Sequence, residues 1–279
     1  MTQAALALDF SFDFDRTVLR VLRQEPPWRA LRAFQNASGE ALIHLHNVSG
    51  GILGGDELTL NATLQPHAQA QIAAVGATRI YRHRHEKPPA SQFTRFHVAN
   101  GALLEYLPDT VIPFAHSRFE QKSEIYLDKG AGLIYWETLC AGRIASGERF
   151  AFENISFNTS IYAEGIPVAM ERYSLNPRVQ QLSSPLRFGP FLYSATMFVC
   201  QVNDEQARWF KLENDLNEIA GSLSAGGVKW GASTLVRHGV VVRGMAQTSH
   251  AISNGLRTMW QAAKQNVWGR PALPPRKIY

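Results

Sequence analysis

Cysteine is scarce in this 279-residue sequence, which contains only Cys140 and Cys200. Their wide separation argues against a disulfide framework and against a cysteine-based zinc site, so we expect two buried free thiols. The sequence also lacks an uninterrupted apolar run of about 18 residues, the length that spans a bilayer. Its N-terminus has no basic start, and Asp9, Asp13 and Asp15 interrupt the apolar residues there, unlike in a signal peptide. These absences predict a cytoplasmic protein that does not insert into a membrane.

Linkers, charge runs and enzyme motifs are missing as well. With 45% apolar and 18% charged residues the composition is that of a globular protein, and we expect one domain over residues 1–279. The 21 arginines and 7 lysines are scattered rather than gathered in a stripe, which argues against nucleic-acid binding. The sequence has no phosphate loop and no Gly-x-Ser-x-Gly elbow, so no local motif indicates GTP hydrolysis or nucleophilic catalysis.

What the sequence does contain is a recurring two-strand unit. Residues 56–64 alternate between apolar and polar side chains, and residues 68–72 resume the alternation after a turn, as a returning partner strand would. The unit recurs around Asn100-Gly101, around residues 128–130 and, more weakly, at Glu164-Gly165. The turn positions His67, Gly101, Gly130 and Gly165 are 34, 29 and 35 residues apart. This period predicts a mainly β protein, a stacked β-hairpin or β-helix-like body, with a generic antiparallel sandwich as the alternative.

Two helices are predicted in the C-terminal part. Residues 203–223 place Leu212, Leu216, Ile219 and Leu223 on one face, and Asn203 with Gln206 has the spacing of a capping box. Residues 248–267 carry a second apolar stripe, which consists of Ile252, Leu256, Met259, Trp260, Ala263 and Val267. Between the helices, residues 232–236 and 240–243 predict one more hairpin.

Metal chemistry has two kinds of candidate residue. His44 with His46 and His83 with His85 are pairs that a strand would point in one direction, but two imidazoles alone do not make a tight site. Three carboxylates stand in apolar strand surroundings, namely Glu105, Glu137 and Glu171. If buried, each must be paired, hydrated or protonated. They predict either a polar passage lined with oxygen ligands or structural pairing with arginines.

The segment of residues 50–56 (GGILGGD) has four glycines in six positions and places Asp56 at the head of a strand. By itself it indicates either a tight crossing between layers or a binding loop. Together with other pieces it resembles the UreD (UreH) family of urease accessory proteins along nearly the whole chain. The other pieces are residues 76–82 (GATRIYR), 101–108 (GALLEYLP), 112–114 (IPF), 146–150 (SGERF), Trp136-Glu137, Gly142-Arg143, Glu171-Arg172, Leu256-Arg257 and Gly269-Arg270.

The resemblance implies a chaperone without enzymatic activity. It implies a scaffold that assembles with UreF and the GTPase UreG, acts on apo-urease and enables GTP-dependent nickel insertion, with dimerisation of that complex as a further expectation. No tightly bound cofactor is expected, and nickel is transient cargo. Asp56, Glu137 and Glu171 match family motifs and are predicted to line the nickel passage. The residues predicted to contribute to binding are Gly54, Gly55, Arg79, Glu105 and Arg172.

The sequence also departs from the family pattern. The family commonly has lysine where Arg79 stands and a glutamine or glutamate near Asp109, and His83 and His85 are not part of its shared motifs. Two other classes of function remain as alternatives, a cupin-like metal-dependent β-barrel enzyme and a carbohydrate- or protein-binding β module.

Overall fold

The computed structural model describes residues 2–84 and 86–274, and these form two stacked β-sheets with two helices in the C-terminal part. The strands of the N-terminal half are β1 (Gln3–Asp13), β2 (Arg16–Gln24), β3 (Trp28–Ala30), β4 (Phe34–Gln35), β5 (Ala41–Asn47), β6 (Glu57–Leu64), β7 (Gln69–Ala74), β8 (Thr78–Ile80), β9 (Ala90–Val98), β10 (Leu103–Leu107), β11 (Val111–Pro113), β12 (Arg118–Leu127) and β13 (Gly132–Cys140). After a 3-10 turn (Ile144–Ser146) come β14 (Asn154–Ala163), β15 (Ile166–Leu175), β16 (Tyr193–Gln201), α1 (Gln206–Leu223), β17 (Val228–Thr234), β18 (Gly239–Ala246) and α2 (Ser249–Trp268).

The repeated unit stacks as a β-helix. The first sheet has the strand order β15-β14-β12-β9-β6-β1-β2, and in it β6, β9, β12 and β14 pair in parallel. The second sheet has the strand order β17-β18-β16-β13-β10-β7-β5-β3, and in it β5, β7, β10 and β13 pair in parallel. Each unit therefore gives one strand to each sheet, and equivalent strands of successive units lie side by side. The sheets are stacked and not closed, so the β-barrel of the cupin-like alternative is not formed.

The four recurring turns form as predicted, but three of the four hairpins predicted at them are wrong. His67, Gly101, Gly130 and Gly165 all have positive φ, between 65° and 80°, as tight turns require. The first three turns carry the chain from the first sheet to the second, so β6, for example, does not pair with β7. Only the turn at Gly165 joins an antiparallel pair, β14 with β15. An alternating pattern fixes which face of a strand is buried, whereas it does not identify the strand's neighbour.

The main core fills the space between the sheets, where inward residues of stacked strands form continuous rows. Phe96, Ile125 and Ile161, for example, lie side by side and are fully buried there. Truncating such a side chain to alanine costs about 2–5 kcal/mol of folding free energy because a cavity remains. This core fixes the register of the strands that carry the polar residues described below.

A second core lies under the helices, which cover the outer face of the second sheet. All six residues of the predicted α2 stripe are buried. Thr248 caps this helix by accepting a hydrogen bond from the Ala251 N–H (3.2 Å), and Gly269 ends it in the left-handed conformation. The predicted hairpin forms from β17 and β18. No helix in the described part of the chain is long and apolar enough to cross a membrane.

The capping box predicted at Asn203 does not form. Asn203 has φ +66° in the turn that follows β16, and α1 begins three residues later with Glu205 as an N-cap that makes no side-chain hydrogen bond. In place of a capping contact, the Asn203 backbone N–H donates to His238 Nδ1 (3.3 Å). Asn203, which the capping-box spacing predicts as the N-cap, therefore belongs to the turn between β16 and α1.

Candidate functional site

A stripe of polar side chains runs through the otherwise apolar space between the sheets. On the first sheet Thr94, Ser123 and Thr159 are buried and occupy one row, because the parallel register places them side by side. Gln92 and Gln121 occupy the next row, also side by side and buried. Neutral hydroxyl and amide groups in a dry interior can bind a charged group without a fixed counter-ion.

Glu137 is the carboxylate of this stripe. It lies on β13, is almost fully buried, and points into the stripe from the second sheet. Its Oε1 accepts hydrogen bonds from the Tyr135 hydroxyl, from Thr159 Oγ1 (2.8 Å) and from Gln121 Nε2 (2.9 Å). The Tyr135 hydroxyl also lies 3.0 Å from Ser123 Oγ. All of these partners are neutral.

The electrostatic surroundings of Glu137 leave its charge uncompensated. Burial raises the pKa of Glu137, the hydrogen bonds oppose this effect, and the nearby Glu171 raises the pKa further. Burial and Glu137 together raise the pKa of Tyr135 well above its ordinary value. Among the described residues no lysine or arginine forms an ion pair with Glu137. The carboxylate thus lies where a divalent cation would supply the missing positive charge.

Two cavities meet at Glu137. The first cavity, of about 220 Å³, is lined by Gln92, Tyr106, Gln121 and Glu137 and, farther out, by Gly51 and Arg79, among other residues. The second cavity, of about 360 Å³, is lined by Glu137 together with Glu171, Tyr173, Thr196 and Arg243 and some apolar side chains. One carboxylate is therefore part of the wall of both spaces.

Glu171 is the second carboxylate in the wall of the second cavity. Its Oε1 accepts from Thr196 Oγ1 (3.3 Å), and its Oε2 pairs with the Arg243 guanidinium at 3.2 Å. Arg172, its neighbour on β15, is exposed and lies on the opposite face, as the alternation of a strand requires. The structure thus brings Glu137 and Glu171 to one cavity and leaves Arg172 outside it.

Asp56 does not join the two glutamates. It lines neither cavity, and its carboxylate accepts backbone N–H groups, from Thr2 at Oδ1 (2.9 Å) and from Leu53 at Oδ2 (3.0 Å). These bonds close the glycine loop just before β6. Asp56 therefore holds the glycine loop in shape, and each of its carboxylate oxygens already accepts a backbone hydrogen bond.

The glycine loop is a tight crossing from the second sheet to the first. A Cβ on Gly51 would lie 2.5 Å from the Tyr81 ring, a Cβ on Gly54 would lie 2.9 Å from His83 Nδ1, and Gly55 has φ +88°. Arg79 is exposed and donates to the Gly50 carbonyl (3.2 Å), so it holds this loop at the mouth of the first cavity.

Glu105 lies on the opposite face of the second sheet, away from both cavities. Its carboxylate pairs with Lys264 Nζ (2.6 Å) and accepts from Trp260 Nε1 (2.5 Å), and Lys264 also pairs with Glu40 (2.9 Å). Lys264 is fully buried. This cluster fastens α2 to β10 and gives Glu105 a structural role.

His44 and His46, the first histidine pair, do not form a metal centre with other described residues. His46 lines the first cavity, and burial together with the nearby His46 lowers the pKa of His44. His85 of the second pair lies outside the described residues. In the part of the chain that the structure describes, no three histidine, cysteine, aspartate or glutamate side chains come together as a metal-binding group.

Sequence reasoning missed the neutral residues of the site. Gln121, Tyr135 and Thr159 provide the hydrogen bonds of Glu137, and Arg243 pairs with Glu171 from 72 residues away. A signal for the first group was present, since polar residues at inward positions of strongly apolar strands are unusual. No local signal indicates Arg243.

The fold and site define an open two-sheet β-helix whose interior holds a buried carboxylate between two cavities. The family model described as UreD urease accessory protein matches residues 2–278, and the chain belongs to this family. It is 42% identical to the urease accessory protein UreD of Herpetosiphon aurantiacus, over 98% of this chain and 96% of that protein. The protein of the same name from Pseudomonas fluorescens is 30% identical over 94% and 88%, and that from Deinococcus radiodurans is 28% identical over 98% and 94%.

Proposed function

We propose that this chain is a cytoplasmic chaperone of urease maturation that has no enzymatic activity and through which nickel passes on its way into apo-urease. Membership of the UreD family supports the role in urease maturation. The observation that supports a metal path is the position of Glu137 in the wall shared by two cavities. Nickel is cargo in this proposal, and no tightly bound cofactor is required.

The ligands around Glu137 suit transfer better than storage. The group comprises one carboxylate with hydroxyl and amide neighbours, and nickel binds more tightly to sites rich in imidazole or thiolate. A carboxylate with only neutral partners attracts a divalent cation electrostatically, because the cation stabilises the buried charge. Weak binding lets the ion leave, whereas a tight site would trap it.

Glu171 supplies the second step of the path. Arg243 occupies its Oε2, so an arriving cation must displace the guanidinium, which is half exposed and can move into solvent. The Arg243 charge also opposes retention of a divalent cation in the second cavity. Glu137 and Glu171 would therefore hold the ion in turn. Asp56 is not part of this path, since its oxygens accept backbone N–H groups.

The partners in this proposal are UreF, the GTPase UreG and apo-urease, assembled as a complex that can dimerise. This sequence has no phosphate loop, which is consistent with GTP hydrolysis by a partner. The chain would contribute the scaffold and the nickel path, and UreG would contribute the nucleotide chemistry.

Reconstitution from purified components tests the proposal. Apo-urease, UreF, UreG, GTP and nickel are combined with and without this chain, and the nickel bound per urease active site is measured together with co-elution of the proteins. We expect co-elution, and nickel loading that depends on both this chain and GTP. Full loading without the chain would contradict the proposal, and so would turnover of GTP by the chain alone.

A further inference from the structure

Exposed apolar side chains concentrate in one region of the molecule. Seven of the fifteen large apolar side chains that are exposed in the described part of the chain lie in residues 12–34. Phe14 is 95% exposed and Leu22 62% exposed, and Val18, Val21 and Leu31 lie nearby on the same hairpin or next to it. A concentration of this kind is typical of an interaction surface.

These residues border an open groove of about 350 Å³ where the edges of the two sheets meet. Leu19 and Val21 of β2 line one side, and Ala30, Leu31 and Ala33 line the other. Neither Glu137 nor Glu171 lines this groove. Glu171 lies on β15, at the opposite edge of the first sheet from β2, and three strands separate β13, which carries Glu137, from β3 in the second sheet. The groove is therefore separate from the candidate metal path.

The backbone of β2 is available for pairing along this groove. Among the strands of residues 2–84 and 86–274, β2 is the last of the first sheet and pairs with β1 alone. The Thr17 N–H points away from β1 and donates to the Gly39 carbonyl (2.8 Å). Since alternate residues of an antiparallel strand direct their backbone groups outward, Leu19 and Val21 present theirs to the same side. A β-bulge interrupts β2 at Leu22, because Val21 pairs with Leu8 and Arg23 with Ala7, so the edge offers a short run at Leu19 and Val21. An exposed edge of this kind accepts an added strand.

The charge around the groove selects the occupant. Arg16, Arg20, Arg29 and Arg32 are exposed, and none of them forms an ion pair with another described residue. In the pairing of β1 with β2, Asp9 lies opposite Arg20 and Asp13 opposite Arg16, so the four arginines outnumber the facing carboxylates. A strand that pairs with β2 would place one set of side chains over the apolar groove and the alternate set beside Arg20. The best match is an extended segment in which apolar residues alternate with acidic ones.

A second copy of this chain fits the edge poorly. The two-fold pairing that uses the outward backbone groups of Leu19 and Val21 places Arg20 directly opposite the Arg20 of the other copy, and like charges in that position are destabilising. The pairing centred on Leu19 needs the Thr17 N–H, which already donates to Gly39, and the pairing centred on Val21 would have to run through the β-bulge at Leu22. The edge is thus better suited to a different protein.

We propose that β2 and its groove bind an extended acidic segment of a partner protein by strand addition. Backbone hydrogen bonds from Leu19 and Val21 provide the pairing, the apolar groove takes every second side chain, and Arg20 selects acidic residues on the other face.

The test measures binding of two labelled nine-residue peptides to the full chain by fluorescence anisotropy. One peptide alternates valine with glutamate, and the other alternates valine with lysine. We expect the glutamate peptide to bind at least about tenfold more tightly. Val21→Pro removes an N–H that the β1–β2 register directs outward, and proline is tolerated on an edge strand, so the fold should persist. Val21→Thr is the matched control, because it keeps the N–H and the branched shape.

The proposal predicts that Val21→Pro weakens binding of the glutamate peptide by at least about tenfold and that Val21→Thr leaves it unchanged. Equal binding of both peptides, no binding, or unchanged binding by a folded Val21→Pro variant would overturn it. A dimer in analytical ultracentrifugation that Val21→Pro dissociates would assign the edge to a second copy and overturn it too. The assay contains neither nickel nor urease, so its outcome is independent of the proposed function.

Discussion

Replacing Lys264 with methionine removes the cation shared by Glu40 and Glu105 and keeps a side chain of similar length. Lys264 Nζ lies 2.9 Å from Glu40 Oε1 and 2.6 Å from Glu105 Oε1, and the lysine is completely buried. Removal of one partner from a buried ion pair costs about 3–5 kcal/mol because it leaves a buried charge uncompensated. At about 2 °C or more per kcal/mol, the melting temperature should fall by at least about 6 °C.

The size of this loss should depend on pH. Burial raises the pKa of Glu105, and Lys264 opposes that effect, so the methionine variant raises the Glu105 pKa further. A carboxyl whose pKa is higher in the folded state keeps a proton that the unfolded chain releases. Its stabilising contribution is therefore complete below the unfolded pKa and is lost as the pH rises through the folded pKa. The loss of unfolding free energy caused by Lys264→Met should therefore be smaller at pH 5 than at pH 8.

Urea denaturation of the wild type and of two variants measures these effects. Lys264→Met/Glu105→Gln replaces the stranded carboxylate with a neutral amide that still accepts from Trp260, so it should regain part of the lost free energy of unfolding and lose part of the pH dependence. A loss of unfolding free energy below about 1 kcal/mol for Lys264→Met would refute the reasoning, because a buried charge left without its partner is expected to cost several times more. A double variant as unstable as the single one would refute it as well.

Three further substitutions test other contacts. Asp56→Asn leaves one loop N–H without its acceptor and should cost about 1–3 kcal/mol of unfolding free energy in denaturation, while nickel loading per folded molecule stays normal. Gly255→Ala should lower the melting temperature despite a gain in helix propensity of about 1 kcal/mol, because its Cβ would lie 2.3 Å from the Trp230 ring. Thr248→Ala removes the cap of α2 and should cost about 0.5–2 kcal/mol, and faster hydrogen exchange of the Ala251 amide would locate the loss. A Gly255→Ala variant as stable as the wild type would contradict the close packing of Gly255 against Trp230. Slow nickel loading by folded Asp56→Asn would contradict the placement of Asp56 outside the nickel path.

The sequence predicts the strands that flank the four recurring turns, the hairpin between the helices and the two helices, because periodicity and turn chemistry are local. It does not predict β1–β5 or β16. His67 and Gly101 hold the expected positive φ, and the period of the turns correctly indicates stacked units. The identity of the pairing strand is a different matter. β6 and β7 are joined by a short turn that would equally suit a hairpin, yet each pairs with the equivalent strand of the next unit. Which strand each one pairs with depends on how successive units stack to bury their apolar faces, and the sequence of one unit does not determine this.

The candidate site is predictable to the extent that a charge stands out against an apolar strand. Glu137 and Glu171 were identified in this way, and the structure brings them to one cavity. Asp56 gave a similar signal, but a carboxylate that accepts backbone N–H groups in a loop looks the same in sequence as one that faces a cavity. Arg243 reaches Glu171 only through the pairing of β16 with β18, which is a tertiary contact.

Nickel loading by charge-neutral variants tests the central claim most directly. Glu137→Gln and Glu171→Gln keep the shape of each side chain and remove its negative charge, and the exposed Glu218→Gln on α1 is the matched control. In the reconstituted reaction the nickel per urease active site is followed over time, with UreF retention and melting temperature measured for each variant. Since loss of a metal-binding or supporting group typically costs 10–100-fold in affinity or activity, we expect loading at least about tenfold slower for both cavity variants. Complex formation and Glu218→Gln should be unaffected. Normal loading by both cavity variants, or slow loading only in a variant that has unfolded or lost UreF, would contradict a nickel path through Glu137 and Glu171.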